Sequence, residues 1–114
     1  MNMKNLSLFA VVAAFVAAVV LATSSFAQAP IEVHLKDHRF TPSVIKVKAN
    51  QPSMLTMVNK DATAEEFDSS DLKIEKVVAG GQSGNIRIRA LKPGTYHFMG
   101  EYHDKTAQGV VIAE

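Results

Sequence analysis

Pro93-Gly94-Thr95-Tyr96-His97-Phe98-Met99-Gly100-Glu101-Tyr102-His103-Asp104-Lys105-Thr106-Ala107-Gln108-Gly109-Val110-Val111 is the stretch that decides how this chain folds. Pro93-Gly94 is a turn signal, and Tyr96 and Phe98 then alternate with polar positions, the period of a strand with one buried face. A polar loop follows, carrying Glu101, His103 and Asp104, and an apolar strand opens at Gly109. Strand, loop and strand in that order place chemistry-bearing side chains at one end of a sheet.

Upstream, the same short-strand grammar recurs. Ile31, Val33 and Leu35 alternate with Glu32, His34 and Lys36. Lys36 to Pro42 breaks that strand, since proline admits only an edge or a turn. Val44 to Lys48 is a second strand, turned back by Ala49-Asn50-Gln51-Pro52. Met54 to Asn59 is apolar on both faces, as a central strand requires. Asn59 to Asp71 reads as a long polar connection, with at most a helical turn at Thr63 to Phe67. Lys73 to Val78 and the stretch around Ile86 and Ile88 complete the set. The expectation is an all-β Greek-key sandwich of about seven strands.

The first 27 residues read as a segment outside that domain. Lys4 precedes an apolar run from Leu6 to Leu21, and Ser25-Phe26-Ala27 has the small-x-small spacing of a signal-peptidase site. The run is shorter than the roughly 20 residues of a membrane span and has no basic flank behind it. Residues 1–27 are therefore expected to be a cleaved signal peptide and residues 28–114 one domain in the periplasm, with no stable membrane insertion. Removing 27 of the 114 residues leaves 87, enough for one small core. Lys4 is the only charge lost, so 12 basic residues become 11 against 11 acidic ones. A neutral balance gives no support to nucleic-acid binding. With no cysteine, an exported domain of this size must rely on sheet packing or a metal.

The last two strands and their loop resemble the metal-binding end of a cupredoxin, on Tyr96, Phe98, His103 and Gly109. The family's cysteine position falls on Gly100 and its axial position on Thr106 or Ala107. A blue-copper centre depends on a thiolate bond, so this chain cannot form one. A narrower resemblance rests on Asp37-His38-Arg39-Phe40-Thr41-Pro42, Glu65-Glu66-Phe67-Asp68-Ser69, Leu72-Lys73-Ile74-Glu75-Lys76 and Glu101-Tyr102-His103. These look like the cupredoxin-like proteins that accompany bacterial iron transporters, including the EfeO-type domain. The resemblance implies handling of iron in the periplasm for an iron permease or an iron-binding protein, with copper as redox partner in a ferroxidase step.

In the cupredoxin pattern the first histidine ligand follows an Asn-x-Asp strand end, here Asn59-Lys60-Asp61, and the residues at its place are Glu65, Glu66 and Asp68. The scaffold would bring them to the end that carries Glu101 and His103. Glu66, Asp68, Glu101 and His103 are the expected metal ligands. Glu66 and Asp68, two apart, point the same way in an extended segment. Glu65 and Glu75 are expected as surface charges, and Glu101 has Lys105 as an alternative partner. Carboxylates with one imidazole suit iron or non-blue Cu(II), and suit Cu(I) poorly.

The other candidates carry less. His34 and His38 lie roughly 13 Å apart along a strand, too far for one ion, and His38 is expected to cap the turn. Met54 and Met57 fall on opposite faces, which favours core packing over a thioether site. No nucleophile has an oriented base, so a hydrolase reading has nothing to stand on. A copper carrier and a metal-free interaction domain remain as alternative classes.

Overall fold

The computed structural model describes residues 29–114, so the expected signal peptide at 1–27 lies outside the described residues. Nine strands form two facing sheets: β1 (Ile31–Lys36), β2 (Arg39–Thr41), β3 (Val44–Val47), β4 (Ser53–Asn59), β5 (Glu65–Ser69), β6 (Ile74–Val78), β7 (Ser83–Ile88), β8 (Gly94–Gly100) and β9 (Gln108–Ala113). One sheet has the order β2-β1-β4-β7 and the other β3-β9-β8-β5-β6. Both are mixed, because β1 runs parallel to β4 and β3 parallel to β9. The all-β sandwich expected from the sequence is what forms.

Two strands exceed the expected seven, and each has a physical reason. The stretch that breaks after Lys36 is a tight turn: Asp37 and His38 both take positive φ, 51° and 59°. A two-residue turn of that kind sends the chain straight back as the three-residue β2 on β1. The other addition is β5, inside the connection expected to be polar loop or helical turn. Glu65, Phe67 and Ser69 face inward and Glu66 and Asp68 outward. The alternation is regular, with acids on both faces.

The core lies between the sheets. Val33, Leu35, Leu55, Met57 and Ile88 from the first meet Ile45, Phe67, Phe98 and Val111 from the second. Phe67 and Phe98 stack at 4.7 Å between ring centroids, and Phe40 meets Phe98 edge-on at 5.1 Å. Gly109 passes so close to the Phe98 ring that a Cβ there would run into it. Met57 is fully buried and Met54 half-buried, in keeping with packing roles.

Asn59, only 1% exposed, ties the site end together. Its amide donates to the carbonyls of Thr63 (2.9 Å) and Val78 (3.1 Å), and its Oδ1 accepts the Asp61 N–H at 3.0 Å. Asn59→Ala leaves buried carbonyls without partners, and a loss of about 1–3 kcal/mol is expected in urea unfolding. A loss near zero would show that the amide carries none of this.

Candidate metal centre

The site end is built by the start of β5, the 3₁₀ turn Glu101–His103 and the β1–β2 turn. Period-two alternation divides its acids between two faces. Glu65 points inward and is completely buried, correcting the expectation of a surface charge. Its Oε1 accepts the backbone N–H of Tyr102 (2.8 Å) and of Glu66 (3.0 Å), and its Oε2 lies 2.6 Å from His103 Nδ1. Three donors satisfy a carboxylate that would otherwise be costly to bury. A carboxylate only accepts, so Nδ1 carries the hydrogen and Nε2 keeps the lone pair when the ring is neutral. That is how a carboxylate orients a metal-ligating histidine.

Gly100 and Ala107 make room for Glu65. A Cβ on Gly100 would lie 2.6 Å from Glu65 Cδ and 2.8 Å from Ala107 Cβ. The volume beside the position of the family's cysteine is therefore filled by a carboxyl group. The residues do not fit a blue-copper ion, and no chemistry passes through one here.

On the outer face Glu66 and Asp68 neighbour Glu101, with the exposed Glu75 opposite Asp68. Asp68 pairs across strands with Glu75 on one side and Met99 on the other. The hydrogen bond between Asp68 and Glu101 raises the Glu101 pKa, and the charges of Asp68, Glu66 and Glu75 add to it. Glu66 is also raised, by partial burial first and then by Glu75, Asp68 and Glu65. Every charge acting on these two groups is another carboxylate, and the ion pairs among the described residues do not join Glu101 to Lys105. His103 is not placed among these acids. Its ring turns to Glu65 on the inner side, and no three His, Asp or Glu side chains among the described residues are already set around one point.

The sequence reading missed Glu65 and the ring of His38. His38 lies flat on His103, centroids 3.5 Å apart and planes 11° from parallel. The turn is capped by Asp61 instead, whose carboxylate accepts the N–H groups of Asp37 (2.7 Å) and His38 (3.0 Å). Burial pushes the Asp61 pKa up, but those two bonds together with the charges of His38 and Lys36 hold it below the ordinary value. The signal for Glu65 was its spacing from Phe67, two residues on. His34 bonds Glu32 at 2.8 Å, and the exposed His97 lies 3.4 Å from Asp71, both away from this end.

These features define a class, a cupredoxin-like β-sandwich whose loop end carries carboxylates and whose chain has no cysteine. The chain belongs to the cupredoxin-like domain family, whose profile matches residues 8–113. It is 42% identical over 82 residues to an uncharacterized protein of Rickettsia prowazekii (strain Madrid E), a match covering 72% of this chain and 66% of that protein. The chain thus spans just under two thirds of that relative's length. Solved structures with the same fold include a reduced amicyanin variant (TM-score 0.63, 18% identity, 78% of this chain and 86% of that one). The metal-binding domain of the Cu(I)-exporting P-type ATPase CopA of Streptococcus pneumoniae matches with TM-score 0.64 at 15% identity, over 75% and 84% of the two chains. Auracyanin A, a blue copper protein of Chloroflexus aurantiacus, matches with TM-score 0.64 at 14% identity, over 75% and 98%. At such identities the likeness is one of fold alone.

Two outcomes are expected. Gly100→Ala loses about 1–3 kcal/mol through overpacking, and Gly100→Ala with Glu65→Ala costs less than the two losses added, because the new methyl no longer meets the carboxyl. Strictly additive losses in urea unfolding would refute the contact. In the second, Glu101 and Glu66 bind protons above the ordinary 4.5 only in the folded state. Folded protein then holds more protons than unfolded, so stability falls as pH rises from 4.5 through the raised values. Glu101→Gln is expected to flatten that fall in thermal unfolding measured across the range.

Proposed function

We propose that this chain handles iron in the periplasm, with Glu66, Asp68 and Glu101 as oxygen donors and His103, whose ring turns to Glu65 in the metal-free chain, as the nitrogen donor that an ion would draw toward the acids. One observation carries the reading: Glu66 and Glu101 share a face with Asp68, and the charges that raise their pKa values are carboxylates, so a proton or a cation relieves the repulsion. A hard, oxygen-rich set suits iron. The orientation of His103 by Glu65 supports its role as a donor, its free nitrogen being Nε2. Gly100 and Ala107, which leave no place for thiolate or thioether, argue against a copper electron carrier of the relatives' kind.

Carboxylates stabilise Fe(III) over Fe(II), so such a site favours oxidation, in which one electron passes from Fe(II) to an external acceptor. The likeness to proteins beside bacterial iron transporters supports an iron permease or a periplasmic iron-binding protein as the recipient. The apolar run at Leu6 to Leu21 and the Ser25-Phe26-Ala27 spacing support export. Among the described residues no helix is long and apolar enough to cross a membrane.

The test is Fe(II) oxidation in air, with dioxygen as acceptor, beside anaerobic Fe(II) titration. Glu101→Gln and Asp68→Asn are expected to weaken Fe(II) binding, and His103→Ala to slow oxidation. Parent and variants that match in both affinity and rate would remove the proposal.

A further inference from the structure

We propose that His38 is a positioning residue of this centre, fixing the plane of the His103 ring from the open side while Glu65 fixes its nitrogen from the buried side. The inference rests on the reading of His103 as a metal donor.

His38 stands in the β1–β2 turn at a positive φ, which histidine tolerates better than most side chains. Both residues of the β1–β2 turn have positive φ, a conformation that usually selects asparagine or glycine. The turn is nevertheless tied down from 23 and 24 residues away, because both its N–H groups bond the Asp61 carboxylate. Asp61 is itself held through its N–H to Asn59. The backbone of His38 therefore stands on a fixed support, and its ring is delivered onto His103 at 3.5 Å.

The geometry separates a positioning role from a second-ligand role. An imidazole nitrogen binds a metal in the plane of its own ring, at roughly 2.0–2.1 Å. Two nearly parallel rings stacked 3.5 Å apart cannot both hold one ion in their planes. The His38 Nε2 also faces Asp61, 4.0 Å from its Oδ2. His38 acts instead as a flat wall. With one face covered and Nδ1 bonded to Glu65, the His103 ring cannot tilt, and Nε2 is held in one direction.

The test uses the full chain with two replacements. His38→Asn suits the left-handed turn and removes the ring; His38→Phe keeps a flat ring and removes the nitrogens. The first readout is the His103 tautomer in metal-free protein, from long-range proton–nitrogen spectra. The parent and His38→Phe are expected to show a single Nδ1–H form, and His38→Asn a mixture. The second readout is anaerobic Fe(II) titration: His38→Asn is expected to bind about 10-fold more weakly or worse, as losses of outer-shell partners do, and His38→Phe close to the parent. An unchanged tautomer and affinity in His38→Asn would overturn the proposal. So would a loss in His38→Phe as large as in His38→Asn, which would make the nitrogen itself the donor. Should the parent bind no Fe(II), the iron reading fails, while the metal-free tautomer comparison still decides the role of His38.

Discussion

The burial of the Glu65 carboxylate is the constraint to which the rest of this end of the molecule answers. A charged group with no exposure must be given donors or it will not stay inside. Here the donors are the backbone N–H groups of Glu66 and Tyr102 and the Nδ1 of His103. Two of those three come from the 3₁₀ turn Glu101–His103, so the turn's position follows from the carboxylate it satisfies. Gly100 must lack a side chain for the same reason, and Ala107 must be small. A residue change at any of these places would leave the carboxylate crowded or unpaired, which is why they form a single unit.

The second organising fact is that a strand has two faces. Along β5, Glu65 and Phe67 point into the sandwich while Glu66 and Asp68 point out of it. Neighbouring acids in sequence thus serve different chemistries: one orients an imidazole inside, and two join Glu101 on the surface. The backbone joins the two halves, since the Glu66 N–H bonds Glu65 and Tyr102 sits between Glu101 and His103.

Much of the sandwich was legible in the chain because hydrophobic alternation reports burial directly. Val33 and Leu35, Leu55 and Met57, and Phe98 and Val111 all face inward as their spacing requires. The strands that escaped were those in which the signal is masked. β2 has three residues and follows a turn whose positive φ values fall on Asp37 and His38, without a glycine to mark it. In β5 an acid stands at an inward position, and charge is read as exposure. Besides its spacing from Phe67, a second clue was the glycine at the cysteine position, beside which the Glu65 carboxyl lies. The stacking of His38 on His103 joins residues 65 apart and has no local signature, so only the assembled fold discloses it.

The outer acids pose an energetic question that the inner pair does not. Like charges directly opposed across strands, as Asp68 and Glu75 are, destabilise a sheet. Glu101 answers by hydrogen bonding Asp68 and holding its proton more tightly than a free carboxyl. That proton and a bound cation relieve the same repulsion and compete for the same oxygens. A cation bound there would displace the proton, and its affinity would rise with pH as Glu101 ionises. Met99, the cross-strand partner of Asp68, brings a thioether to that face, and a thioether, unlike a carboxyl, has no proton to release. On the reading of these acids as ligands, an oxygen site would couple cation binding to proton release in a way that a thioether site would not.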